Sequence, residues 1–210
     1  MNDEARAACE QALIIYKKLV NDNPTLNDDV TVSDYHKYLA STHNDFGLLL
    51  KGIGKLDQSR TTYQQAILIY KKLADNDPND CGYQSDLAST HNNLGNLLAD
   101  MGKPVEALVE FRNAIQIRKE FLYDDTDYHA MSCLHALIGK VATIPLSGIP
   151  IGEAKTNLDK AMWWLQKEVD SGYRDVAHMQ VDSDLDPLRD RADFQLLIRD
   201  LMFPAEPFVP

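Results

Sequence analysis

The sequence predicts an all-α fold: a solenoid of stacked helical hairpins closed by a C-terminal capping segment. Three observations predict it. Residues 39–50 read LASTHNDFGLLL and residues 87–98 read LASTHNNLGNLL, so nine of twelve positions recur after 48 residues. A second pair of runs, 63–69 and 111–117, recurs at the same offset of 48. No stretch alternates apolar and polar residues over the length of a strand. A fixed period of this size marks supersecondary units that each bury their apolar face on the next. Such a frame implies a binding scaffold.

Composition narrows the setting. A chain of 210 residues fits one compact domain or one short solenoid. Its 44% apolar and 25% charged residues are those of an ordinary folded chain. The net charge of −11 repels phosphate backbones and anionic lipid, which argues against nucleic acid and membrane surfaces as partners. No apolar run approaches the roughly 20 residues that span a bilayer. The first residues lack the basic-then-apolar layout of a signal peptide. Cys9, Cys81 and Cys133 are odd in number and far apart, so no disulfide framework is expected. Together these predict a reducing, cytoplasmic location.

Taken in order, residues 3–20 place Ala5, Ala8, Ala12, Ile15, Tyr16 and Leu19 at helical spacing. Lys17 and Lys18 suit the negative pole of that helix, and Pro24 closes it. Residues 11–19 match 65–73 at an offset of 54, so the loop at 25–32 carries about six extra residues relative to the period. This first helix is half a repeat. Ser33 or Asp34 caps the next helix, which Gly52 and Gly54 end. The two full repeats are 33–76 and 82–123. Acidic breaks follow them, one ending at Pro78 and one at 124–127. A degenerate helix is expected at 128–143, an irregular loop at 144–150 and an amphipathic helix at 152–171. The array is therefore assigned to 1–143. A degenerate repeat helix and the cap take 144–210. Within the cap, 175–181 and 193–201 are short helices, and Asp186-Pro187 reads as an N-cap followed by Pro at the first helical position. Three prolines keep 202–210 irregular.

The paired-helix unit resembles the tetratricopeptide repeat. The pattern is carried by His91, Leu94-Gly95, Leu98, Ala107, Phe111 and Ala114, and by His43, Phe46-Gly47, Leu50, Ser59, Tyr63 and Ala66. Ala5, Cys9 and Ala12 carry it in the half repeat. Ile138, Val141, Ala142, Ala154, Leu158 and Ala161 suggest one more degenerate unit. The glycines let the two helices of a hairpin approach closely, and the large residues fill the remaining core. The resemblance implies a right-handed solenoid. The period of 48 exceeds the common length of about 34 and is closer to the long subtype similar to kinesin light chain repeats. Residues 182–189, with Phe194 and Leu197, resemble the closing segment of bacterial arrays, some of which follow a Ser/Thr kinase domain. A solenoid needs such a cap, with Leu185, Leu188, Phe194 and Leu197 as its apolar face.

In this family the first helix of each hairpin lines a concave groove. The resemblance therefore implies a peptide-binding surface at Ser41, Asn44, Leu48 and Lys51, and at Ser89, Asn92, Asn96 and Ala99. An asparagine ladder can hold an extended backbone without reading its side chains. The competing reading is that these asparagines solvate the face or join neighbouring helices. Only Lys51 is cationic among them, which disfavours an acidic-tail ligand.

No metal or catalytic set is expected. His43 and His91 recur with the repeat and read as packing. His129, Cys133 and His135 match no zinc spacing. Asp182-x-Asp184-x-Asp186 imitates a calcium loop but has Pro187 where the sharp-turn glycine belongs and Asp193 in place of glutamate. Trp163 and Trp164 point about 100° apart. One is expected in the core, and the other under the tail in preference to a contact surface. There is no phosphate-binding glycine loop, no kinase signature and no Gly-x-Ser-x-Gly. The expected function is thus non-enzymatic and cofactor-free: a scaffold for a peptide or partner domain, within a larger signalling protein. Self-association through the first helix is the second reading, and a small-molecule enzyme, for which no site signature is found, the third.

Overall fold

A computed structural model describes residues 2–23, 30–120, 126–144 and 147–203. Of the expected loop at 25–32, acidic break at 124–127 and irregular tail at 202–210, residues 25–29, 124–125 and 204–210 lie outside the described residues, whereas 30–32, 126–127 and Met202 are helical rather than irregular. The chain forms two compact units, Met1–Phe121 and Leu122–Pro210. Among the described residues every regular element is helical. The helix expected at 128–143 thus falls in the second unit and not with the array.

The first unit contains α1 (Asn2–Asp22), α2 (Val30–Gly52), α3 (Leu56–Asn76), α4 (Cys81–Asp100) and α5 (Pro104–Glu120). Each helix packs on the next in chain order, as a solenoid requires. Ser33 and Asp34 lie inside α2 rather than capping it, because the helix already starts at Val30. Two turns are built alike. Gly54 has φ +76° and Gly102 φ +70°. In each turn the following lysine N–H reaches back to a leucine carbonyl, Lys55 to Leu50 at 2.8 Å and Lys103 to Leu98 at 2.9 Å. A left-handed residue that closes the helix in this way is best served by glycine. The α4 start is held by Asp80, whose carboxylate accepts from the N–H groups of Gly82 and Tyr83 at 2.7 and 3.2 Å.

Each hairpin has one seam. Gly47 lies against the Tyr63 ring and Gly95 against the Phe111 ring, both rings fully buried. The hydroxyl of Ser59 donates to the Gly47 carbonyl at 2.6 Å across the same seam. The layer between hairpins is filled by Ala40, Ala66, Tyr70, Leu73, Ala74, Tyr83 and Leu87. Small residues there let α3 approach α4 while tyrosine and leucine fill the gaps.

The second unit contains α6 (Thr126–Ala142), α7 (Ile151–Asp170), α8 (Val176–Val181), a 3-10 turn (Ser183–Leu188) and α9 (Ala192–Met202). Helices α6 and α7 repeat the hairpin design. Gly139 meets Leu158, while Ala136, Ala154 and Ala161 are buried around them. Leu185, Leu188, Phe194 and Leu197 face this core as the apolar side of a cap. Asp186-Pro187 does not start a helix. Both residues sit within the 3-10 turn, which Asp182 caps by accepting from Asp184 N–H at 2.9 Å. Arg191 ties the start of α9 to α7 through Asp159 at 2.8 Å. Neither tryptophan enters the core. Trp163 is 54% exposed with Lys167 over its ring, and Trp164 packs on Tyr128 at 5.7 Å.

Candidate functional site

Ser41, Asn44, Leu48 and Lys51 recur at intervals of three, four and three, so they share one face of α2. Their counterparts Ser89, Asn92, Asn96 and Ala99 share the matching face of α4. Leu48 is 58% exposed, while the other seven positions are half-buried. Several of these side chains already join helices. Ser41 is hydrogen-bonded to the Tyr70 hydroxyl. Ser89, one period on, accepts from Arg118 at 3.0 Å. Residues 70 and 118 are also one period apart, so the same cross-hairpin contact is made twice with different chemistry. Burial, then the nearby Asp86 carboxylate, raises the pKa of Tyr70.

Between hairpins the contact register slips by one residue. Asn44 accepts from Asn93 Nδ2 at 3.0 Å, and the Lys51 ammonium lies 2.9 Å from Asp100. Both pairs are 49 apart in sequence, against a period of 48. Asn93 and Asp100 therefore belong to this face although the resemblance points to their neighbours. The sequence signal for them is that both depart from their counterparts one period back, Asn93 from Asp45 and Asp100 from Gly52. The α2–α4 face thus offers an exposed leucine, a row of half-buried amide groups, and a cation already matched by a carboxylate.

The repeat histidines form a second series. His91 Nδ1 lies 2.6 Å from Glu110, and His135 Nδ1 lies 2.9 Å from Asn157. His43 occupies the same register, but Thr62 stands in sequence where Glu110 stands one period on, and its hydroxyl donates to Gln58 O at 2.7 Å. Nδ1 of His43 has no hydrogen-bond partner among the described residues. Burial, with the Lys17 charge adding to it, pushes the His43 pKa down to about 4. These are packing positions that take whatever polar partner the next helix provides.

His129 and Cys133 do not converge with His135. They face Asp182 instead: His129 Nε2 lies 2.8 Å from Asp182 Oδ2, and Cys133 Sγ lies 3.5 Å from the same oxygen. His129 Nδ1 meets Glu168 Oε2 at 3.0 Å. Asp182 is therefore committed to α6 and to its own cap, not to a calcium loop with Asp184 and Asp186. Burial opposes charge on His129, but its hydrogen bonds to Asp182, Cys133 and Glu168 outweigh that and raise its pKa far above the usual range. The hydrogen bond from His129 holds the Asp182 carboxyl well below its ordinary value, and burial pushes the Cys133 thiol up.

The family model for the tetratricopeptide repeat matches residues 87–122, the α4–α5 hairpin. The match supports a tetratricopeptide repeat over these residues, and such repeats generally mediate protein–protein interaction. No curated protein matches the sequence. Among solved structures, the crystal structure of BtubC (BKLC) from P. vanneervenii is similar over 99% of this chain and 94% of that one. The TM-score is 0.51 at 13% identity, a likeness of fold. No described helix is long and apolar enough to cross a membrane.

Proposed function

We propose that the chain is a protein–protein interaction scaffold that holds an extended peptide segment of a partner along the α2–α4 face. The carrying observation is Leu48: a leucine left 58% exposed in a row of half-buried polar side chains on one helix face. A leucine there meets an apolar side chain of the ligand, while Asn44, Asn92 and Asn93 hold its backbone. Asp100 matches the charge of Lys51, and the whole chain carries −11. The ligand is accordingly neutral or basic rather than acidic. Resemblance of the cap to closing segments of kinase-linked arrays supports a signalling setting, and resemblance to the long-period repeats supports peptide capture by the first helix of each hairpin.

The test is a panel of immobilised ten-residue peptides of varied charge. Peptides selected by the natural chain should bind Leu48→Asp and Asn44→Ala/Asn92→Ala at least about tenfold more weakly, with unchanged circular dichroism. Equal affinity for the variants removes this face as the site.

Self-association through α1 is the second reading, and one observation favours it. Ala5, Ala8, Cys9 and Ala12 correspond to Ser59, Thr62, Tyr63 and Ala66 of α3 at the offset of 54. The α3 residues are all buried, whereas Ala5 and Ala8 are exposed and Cys9 and Ala12 half-buried. A second copy covers that face in this reading. Light scattering across a concentration series decides it, because a strict monomer removes the idea.

A further inference from the structure

The cluster around His129 lies in the second unit, separate from the proposed peptide face. His129 and Cys133 are four residues apart on α6 and so project from one side of it. Asp182 arrives from the junction of α8 and the 3-10 turn. Its Oδ1 is held by the Asp184 N–H at 2.9 Å, which aims Oδ2 at His129 and Cys133. One nitrogen, one sulfur and one oxygen thus lie within 4.8 Å of one another. On the far side of the imidazole, Nδ1 meets the carboxylate of Glu168, a residue only 3% exposed.

We propose that His129 Nε2, Cys133 Sγ and Asp182 Oδ2 form a binding site for a divalent late transition metal, zinc by preference, with water as the fourth ligand. Imidazole, thiolate and carboxylate are the ligand types that zinc takes, and the thiolate disfavours magnesium and calcium. Ligand atoms around a tetrahedral zinc sit roughly 3.3–3.8 Å apart. The Sγ–Oδ2 separation of 3.5 Å already fits, and the Nε2–Oδ2 separation of 2.8 Å must open by about half an ångström. Glu168 supplies what a metal-bound histidine ordinarily has, a carboxylate on the other ring nitrogen that fixes its tautomer and orientation.

The charge balance favours exchange. Both ring nitrogens face carboxylate oxygens, so both carry protons and the imidazole is cationic. Entry of one divalent ion displaces the Nε2 proton and the thiol proton to solvent. The metal-free set of imidazolium, thiol and two carboxylates sums to −1. The loaded set of ion, neutral imidazole, thiolate and two carboxylates also sums to −1. No buried charge is added.

Zinc has no d–d spectrum, so cobalt(II) is the probe. The full chain carrying Cys9→Ser and Cys81→Ser is stripped with EDTA and titrated with cobalt(II) chloride, then with zinc chloride in competition. The expected result is saturation at one equivalent with a near-ultraviolet thiolate-to-cobalt band that zinc abolishes. Cys133→Ser should lose the band. Glu168→Gln should keep the band but weaken binding about 10–100-fold. Absence of one-equivalent binding, or a band that survives Cys133→Ser, overturns the proposal. If Cys133→Ser fails to fold in EDTA, Asp182→Asn is read instead, since asparagine still caps Asp184. Undiminished cobalt affinity in that variant overturns the proposal equally.

Discussion

Gly95 stands so close to Phe111 that a Cβ at that position would lie 2.5 Å from Cε1 of the ring and 2.7 Å from Cδ1. The ring is fully buried and cannot swing aside. Gly95→Ala should therefore force α4 and α5 apart and cost about 1–3 kcal/mol, the usual penalty for overpacking. Urea unfolding measures it.

That seam also separates what the sequence discloses from what it hides. Gly47 and Tyr63 are 16 residues apart, as are Gly95 and Phe111, so a self-comparison of the sequence finds both hairpins. Gly139 and Leu158 are 19 apart, and leucine replaces the aromatic ring. A slightly longer connection and one softer side chain are enough to make the third hairpin look degenerate. The α2–α4 face was legible in outline from Ser41, Asn44 and Lys51, but its partners Asn93 and Asp100 were not. Neighbouring hairpins are displaced by one residue more than the period, a property of how helices pack rather than of the repeat. His129 and Asp182 meet across 53 residues of irregular spacing. Only the tertiary fold brings them together, so no local motif announces the cluster.

Tyr63 occupies the place of Phe111 in the preceding hairpin, and its hydroxyl is buried with no hydrogen-bond partner among the described residues. Burial, with Asp45 adding to it, pushes the phenol pKa up to about 12, so the hydroxyl stays neutral. An unsatisfied buried hydroxyl costs free energy. Tyr63→Phe should raise stability by about 1 kcal/mol in urea unfolding, with the helical dichroism unchanged.

The His129 cluster should also hold the cap in place without metal. Glu168 is almost wholly buried and meets the imidazolium directly. His129→Ala leaves that carboxylate without its cation, and breaking a buried pair this way costs roughly 3–5 kcal/mol. Thermal melting in excess EDTA should show the loss. His129→Leu combined with Glu168→Gln should restore part of it, since removing both charges lifts the desolvation cost.

His43 makes stability depend on pH through an imidazole whose Nδ1 has no hydrogen-bond partner among the described residues. Its folded pKa of about 4 lies below the 6.5 of a free histidine, with burial as the main cause and Lys17 second. Between those values the unfolded chain binds the proton and the folded chain does not. The His43 contribution is therefore present above about pH 6.5 and is lost as pH falls through 4. The gap between the folded and unfolded values corresponds to about 3 kcal/mol. His43→Leu removes the titration, and with no Nδ1 hydrogen bond to break it should change stability little at pH 7. At pH 4.5 the variant should exceed the natural chain in urea midpoint. Parallel pH profiles for the two would mean that the imidazole titrates alike in both states. His91, which sits 2.6 Å from Glu110 at the same register, is the internal comparison. His91→Leu breaks that contact and should lower stability already at pH 7, because the Glu110 carboxylate then loses its partner.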